Sequence, residues 1–191
     1  MTKHLLALLS LFIILPFVSG TSLAASPSPS TGKEQPKEST SASQPTSSFE
    51  LFWPIVAGRV PGDPLYTLKR LRETISEKLK FSEIRKADYR LTLSKKRLVE
   101  TEKLLEQKAY ANAEKSIKDS VAELKNAIDL AKTAEQKGKA TQGLFNALSD
   151  NGQRELIFLS SLIDRIPTEN QGAFKEALAQ IDEMVKNLGQ R

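Results

Sequence analysis

The sequence contains no cysteine and only one histidine, and this composition argues against several kinds of site. Without cysteine the chain can form no disulfide, thiolate metal site or lipid anchor on cysteine, and it has no cysteine nucleophile. The histidine is His4, inside the N-terminal leader, so a cleaved chain would lack the residue most used for acid–base work at neutral pH. We therefore predict a protein that is not an enzyme and that holds no cofactor and no metal.

Neither sign of charge dominates the chain. Lysine and arginine total 28 against 23 acidic residues, which gives a net charge of +5. A surplus of this size is ordinary for a protein domain, and it is compatible with loose attraction to anionic polymers or lipids. Charge alone therefore does not identify a partner.

Residues 1–25 are predicted to be a secretory signal peptide. The apolar run from Leu5 to Val18 is shorter than the roughly 20 residues of a membrane span, and small residues then allow cleavage after Ala24 or Ala25. An uncleaved anchor remains an alternative, with residues 5–25 as a membrane tether. In both cases we expect the rest of the chain outside the cytoplasm, either secreted or at the cell surface.

Residues 26–48 have the composition of a disordered linker. Serine, threonine and proline fill 15 of these 23 positions, and no aromatic or large aliphatic side chain is present. Such a stretch cannot build a core. It would be a spacer if the leader stays attached and a free N-terminal arm if the leader is removed.

Residues 49–63 concentrate aromatic and aliphatic side chains, including the only tryptophan, Trp53, beside Phe52. Prolines and glycines in and just after this stretch predict an extended conformation. One interpretation is an exposed recognition segment anchored by Trp53, and the other is an arm lying in a groove of the helical body. We favour the second, because free apolar surface of this size promotes aggregation.

Residues 64–191 are predicted to form an all-α antiparallel bundle of about five helices, since every segment has helical periodicity. The first helix, about 64–80, begins at Asp63 and Pro64, which suit a helix N-terminus. Its apolar positions share one stripe: Leu65, Leu68, Leu71, Ile75 and Leu79. Charged residues occupy the rest of the helix surface: Lys69, Arg70, Glu73 and Glu77.

The next two helices are predicted to pair as a long, coiled-coil-like antiparallel hairpin. Apolar or small residues recur with spacings of three and four from Ile84 to Leu105 and again across 110–136. The same seams could close between two copies of the chain, so self-association stays open.

Two further breaks are predicted near the C-terminus. Asp150-Asn151-Gly152 reads as a turn between a short helix and a helix over about 153–166. Thr168 and Gln171 resemble a capping box that begins the last helix, which Gly189 ends.

The segments Gly-Asp-Pro-Leu-Tyr-Thr-Leu-Lys-Arg-Leu-Arg-Glu (62–73) and Arg-Lys-Ala-Asp-Tyr-Arg-Leu-Thr-Leu-Ser-Lys-Lys-Arg-Leu-Val-Glu (85–100) resemble an exported bacterial family, the domain of unknown function fifty-six sixty-seven. The similarity covers about 50–135, and Ser-Ser-Leu-Ile-Asp-Arg-Ile-Pro (160–167) is similar to a later element of such proteins. The resemblance implies a helical domain with no established activity, and it transfers no catalytic residue.

The candidate interaction residues are aromatic and basic: Phe52, Trp53, Tyr66, Lys69, Arg70, Lys95, Lys96 and Arg97. The basic clusters could bind phosphates or an acidic wall polymer. They lack interleaved aromatic residues for base stacking, which argues against nucleic acid. The carboxylate pairs Glu73 with Glu77 and Glu102 with Glu106 alternate with lysine and arginine, so we expect them to be solvated rather than catalytic.

Taken together, these features favour a non-enzymatic, exported helical interaction or structural module of the bacterial cell envelope. Its partner would be an unknown protein or an envelope polymer. The alternative is an extracytoplasmic sensor or regulator that binds a ligand through the Trp53 arm.

Overall fold

The computed structural model describes residues 46–190, and within this range the chain is helical without strands, as the sequence predicts. Six α-helices follow one another, and five of them lie within residues 64–190, the number predicted for the bundle. Their bounds are α1 Ser48–Phe52, α2 Tyr66–Lys78, α3 Glu83–Glu106, α4 Tyr110–Gln136, α5 Gln142–Ile163 and α6 Gly172–Gly189. The predicted leader, and all of the predicted linker except 46–48, lie outside the described residues.

Helices α3 and α4 form the predicted antiparallel hairpin. Ser94, near the middle of α3, contacts Ser120 in α4, and Glu83 at the start of α3 pairs with Lys137, just beyond the end of α4. The connection is short and has Lys108 in the left-handed region at φ 56°. The long hairpin is therefore the frame on which the other helices pack.

Small side chains let the two helices of this hairpin approach closely. Ala87 and Ala113 have no exposed surface. Where the seam turns polar, the Ser120 hydroxyl donates to the Ser94 carbonyl at 3.0 Å, and the two hydroxyl oxygens lie 3.1 Å apart. This bond satisfies a polar group that would otherwise cost free energy on burial.

The predicted turn at residues 150–152 is wrong, because α5 runs through it without a break. Asn151 and Gly152 are buried inside this helix. A Cβ on Gly152 would lie 2.4 Å from Cγ2 of Val185 in α6. The glycine thus serves close packing of two helices rather than a turn.

The predicted capping box before the last helix is also not formed. Residues Thr168–Asn170 make one 3₁₀ turn, and α6 begins at Gly172 without a side-chain cap. Gln171 instead donates its amide to the carbonyl oxygens of Ile163 and Ile166 at 3.1 and 2.8 Å. Its side chain therefore closes the end of α5 rather than opening α6.

The segment predicted as an extended arm begins with the short helix α1, so that part of the prediction is wrong. Ser47 caps α1 in a capping box with Glu50. Phe52, 3% exposed, packs edge-on against Phe158 of α5 with ring centroids 5.5 Å apart. Helix α1 is thereby fixed to the bundle core, and residues 53–65 connect it to α2 without further α-helix.

Candidate interaction surface

Arg97 on α3 has no exposed surface, and it attaches α2 to the bundle. Its Nη2 donates to Oε2 of Glu73 on α2, and its Nη1 donates to Oε1 of Glu100 at 2.5 Å. Burial alone would lower the pKa of Arg97, but the carboxylates of Glu100 and Glu73 outweigh it and the pKa is raised. A buried guanidinium requires such partners. Glu73 therefore determines which side of α2 faces the bundle.

Glu100 receives two further donors from α2. Lys69 pairs with its Oε1, and the Tyr66 hydroxyl donates to its Oε2 at 3.2 Å. Lys69 also donates to the carbonyl oxygens of Ala57 and Arg59 at 2.9 and 2.7 Å. Burial lowers the pKa of Lys69, and burial together with Glu100 raises the pKa of Tyr66. One ammonium group thus connects α2, α3 and the segment before α2.

A second ionic cluster holds the other end of α2. Arg90 of α3 donates Nε and Nη2 to the two carboxylate oxygens of Glu77 at 2.7 and 2.6 Å, and Nη1 to Glu123 of α4 at 2.6 Å. Arg70 lies 3.8 Å from Glu123 and 3.9 Å from Asp119. Bidentate pairing fixes orientation as well as distance, so α2 cannot rotate about its axis without breaking it.

The apolar stripe of α2 consequently faces away from the bundle. We call it the outer α2 face, and its side chains are 44–65% exposed: Leu65, Leu68, Leu71, Ile75 and Leu79. An apolar stripe is usually the face of a helix that packs on the core, but here the stripe has the opposite orientation. Glu73 and Glu77, on the opposite side of α2, face the bundle because they pair with Arg97 and Arg90 of α3.

Exposed apolar side chains are concentrated in this part of the molecule. Ten large hydrophobic side chains are exposed among residues 46–190, and nine of them lie between Phe49 and Phe81. The tenth is Ile157 on α5, 54% exposed. Contiguous exposed apolar surface on a folded domain commonly marks an interaction site, so the asymmetry identifies α2 and the segment before it as the candidate surface.

A groove of about 570 Å³ runs between that segment and α2. Its apolar walls include Ile55, Val56 and Leu68, and its basic side chains include Lys69, Arg72 and Lys96. The groove therefore combines apolar contact with positive charge. This combination suits an amphiphilic partner better than a small neutral one.

Trp53 lies beside a second cavity of about 300 Å³, on the side of α5. The indole is 65% exposed and packs on Phe49 with ring centroids 4.7 Å apart. Lys95 and Arg154 line the same cavity, and burial lowers the pKa of Lys95. Phe52 is thus buried in the body while Trp53 is exposed, and recognition of a partner through Trp53 stays a prediction.

The structure does not bring the predicted basic cluster together on one surface. Lys95 lines the Trp53 cavity, Lys96 lines the groove on α2, and Arg97 points into the bundle. Arg97 is neutralised by two glutamates and is not accessible to phosphate or a wall polymer. Tyr66, Lys69 and Arg70 join the ionic clusters, with Lys69 also in the groove wall.

The expectation that the glutamate pairs are solvated is wrong for two members. Glu73 is 5% exposed, and Glu102, 7% exposed, accepts from the backbone of Ser48 at 3.1 Å and from Arg165 at 3.2 Å. Both serve as structural anchors. The spacing of Arg90 and Arg97, seven residues apart on one side of α3, is the sequence signal that could have indicated a partner helix of acidic residues.

Sequence reasoning also missed a buried carboxyl group on α5. Glu155 has no exposed surface and accepts hydrogen bonds from Ser94 at 2.7 Å and Asn151 at 2.5 Å. Burial raises its pKa to about 7, against the opposing effect of those two bonds. The sequence shows only a glutamate in an apolar helix, and no pattern marks it as buried.

Neither a metal-binding cluster of acidic residues nor a helix able to cross a bilayer occurs among residues 46–190.

A family model described as Domain of unknown function (DUF5667) matches residues 58–187. No curated protein and no solved structure matches the chain. The matched range contains α2 and the helices that follow, except for the last two residues of α6. With more than half of its length covered, the chain belongs to the family Domain of unknown function (DUF5667).

Proposed function

We propose that this protein is an exported, non-enzymatic interaction module of the bacterial cell envelope, and that it binds its partner through the outer α2 face. The observation that carries the proposal is an apolar helix face held outward by buried charge. Burying that stripe against the bundle would require removing Glu73 from Arg97, which would leave a buried charge unpaired. The exposed face is therefore specified by the fold rather than tolerated by it.

Export is supported by the leader pattern in residues 1–25 and by the serine-, threonine- and proline-rich residues that follow. A non-enzymatic role is supported by the lack of cysteine in the whole chain and of histidine beyond His4. The N-terminal mass of the protein recovered from fractionated cells tests export. A chain beginning near Ala25 or an intact leader in the membrane fraction is expected, and an intact chain in the cytoplasmic fraction would contradict it.

Site-specific photo-cross-linking tests the interaction surface. A photoreactive amino acid replaces Leu71 on the outer α2 face, and in a matched control it replaces Ile157, which has a similar exposure on α5. In cells producing the full chain, we expect adducts at position 71 and few at position 157. Equal labelling at both positions, or none at 71, would contradict the proposal.

A second candidate, ligand sensing through the Trp53 arm, is favoured by the cavity that Trp53 shares with Lys95 and Arg154. Trp53 is the only tryptophan, so its emission reports on this site alone. Titration with inorganic phosphate, the simplest anion those two cations would bind, should change the emission if the cavity takes an anionic ligand. Emission that does not respond favours the structural interpretation.

A further inference from the structure

We propose that the partner of the outer α2 face is the surface of an anionic phospholipid bilayer. This inference rests on the proposed function and names the partner of the same surface. The apolar side chains from Leu65 to Leu79 would enter the boundary of the hydrocarbon region, and Arg72 and Lys78 would lie at the level of the phosphates. A helix with one apolar face and basic residues beside it is the usual form of an interfacial membrane contact.

The charges beside this face support an anionic partner. Arg72 is four residues after Leu68, and Lys78 is seven after Leu71, so the helical period places one basic residue on each side of the stripe. Both are exposed, and neither forms an ion pair with another residue of the range 46–190.

The acidic residues of the same region are already engaged within the protein. Glu73 and Glu77 of α2 face inward to Arg97 and Arg90. Before α2, Asp63 pairs with Arg59, and after α2, Glu83 pairs with two lysines that follow α4. Along α2 the charge that is free to meet a partner is therefore positive.

This distribution disfavours the two other occupants that the chain itself offers. A second copy packed face to face would bring Arg72 and Lys78 against their own equivalents, which opposes association. The apolar leader would not neutralise them either, since residues 1–33 contain no aspartate or glutamate. An anionic bilayer supplies both an apolar phase and negative charge, and each basic residue near such a surface contributes about 1 kcal/mol.

The apolar surface also extends beyond the helix. Val56, 70% exposed, lines the groove together with Leu65 and Leu68, and Phe81, two residues after Leu79, is 87% exposed. The surface thus spans the whole length of α2. No helix within residues 46–190 crosses a bilayer, so the contact would lie along the membrane surface.

The absence of cysteine allows a direct test on the full-length chain. Leu71→Cys and, as the matched control, Ile157→Cys each receive one environment-sensitive NBD fluorophore. Each labelled protein is mixed with vesicles of 30:70 phosphatidylglycerol and phosphatidylcholine or of phosphatidylcholine alone, with and without nitroxide-labelled lipid as a quencher. The readout is local, so vesicle binding through the leader does not by itself give a signal at position 71.

We expect the fluorophore at position 71 to brighten and to be quenched by nitroxide lipid in the anionic vesicles, while position 157 stays in water. Leu68→Gln with Ile75→Gln should raise the lipid concentration for half-maximal response about 25-fold, because the loss of each half-exposed side chain should raise it about fivefold. Arg72→Gln with Lys78→Gln should have a similar effect, which salt should mask.

Three results would overturn the lipid proposal. Position 71 could stay in water although the chain is bound to vesicles, or both positions could respond equally. Position 71 could also become apolar without vesicles and in proportion to protein concentration, which would assign the face to a second copy. The last result leaves the proposed interaction function intact, whereas an absence of cross-links at Leu71 in cells contradicts that function itself.

Discussion

Replacing Arg97 with methionine tests whether buried charge holds α2 on the bundle. Without the guanidinium, Glu100 keeps its bonds to Lys69 and Tyr66. Glu73 keeps only Arg70, whose Nη1 lies 3.7 Å away on a side chain that is 38% exposed. Glu73 would then be a buried carboxylate with a weak partner, and losing one member of such a pair costs about 3–5 kcal/mol.

For a domain of this size the Arg97→Met change corresponds to a fall in Tm of about 10 °C. Thermal unfolding followed by circular dichroism measures the stability, and hydrogen exchange measures whether α2 loosens. Lys186→Met is the matched control, because its ion pair with Asp182 is exposed and should contribute less than about 1 kcal/mol.

A double-mutant cycle assigns the effect to the pair. Glu73→Gln combined with Arg97→Met should be less destabilised than the sum of the single changes, by about 1–3 kcal/mol. If Arg97→Met costs less than about 1 kcal/mol and leaves exchange in α2 unchanged, the ionic attachment of α2 is refuted.

Three other measurements test separate parts of the structure. Gly152→Ala should cost about 1–3 kcal/mol in chemical denaturation because its Cβ meets Val185, and Val185→Ala should restore part of the loss; an unchanged midpoint would contradict the close packing of α5 and α6. Burial raises the pKa of Glu155 to about 7 from its ordinary 4.5. The protonated side chain therefore makes its full contribution to the free energy of unfolding below about pH 4.5, and this contribution is lost as the pH rises through 7. Glu155→Gln should therefore be more stable than the parent at pH 8, by up to about 3 kcal/mol, and a difference that does not grow with pH would exclude this role. Trp53 should be quenched by acrylamide in the folded protein nearly as well as in the unfolded one, and a protected indole would contradict its exposure.

The hairpin of α3 and α4 could be predicted from sequence because its packing follows the helical period. The seam from Ala87 to Thr101 is buried as the spacing indicates, and the predicted range of α4, about 110–136, agrees with the structure. In both helices, apolar and small residues share the face that is buried, so local pattern and tertiary packing agree.

The orientation of α2 could not be predicted in the same way. Its apolar stripe satisfies the usual rule for a packing face, but burial of Arg97 on another helix requires acidic partners, and α2 supplies them from its charged face. A requirement set by a distant residue therefore overrides the local pattern. The turn predicted at residues 150–152 is absent for a related reason. Gly152 is needed for close packing against Val185 of α6, and its backbone stays helical.

Of the candidate residues, the sequence identified aromatic and basic types but not their surroundings. Trp53 and Lys96 are accessible, whereas Arg97 and Phe52 are not. Neighbours in sequence point to different sides of a helix, so Lys95, Lys96 and Arg97 serve three different environments.

The most direct test of the account is the reaction rate of single cysteines with a maleimide reagent in the folded protein. Leu71→Cys lies on the outer α2 face, where Leu71 is 55% exposed, and Ala87→Cys lies in the hairpin seam, where Ala87 has no exposed surface. We predict that Cys at position 71 reacts about as fast as in the unfolded chain and that Cys at position 87 is strongly protected. Protection at position 71 in the monomeric protein would show that α2 buries its apolar face, and the outward-facing surface on which the proposed function depends would not exist.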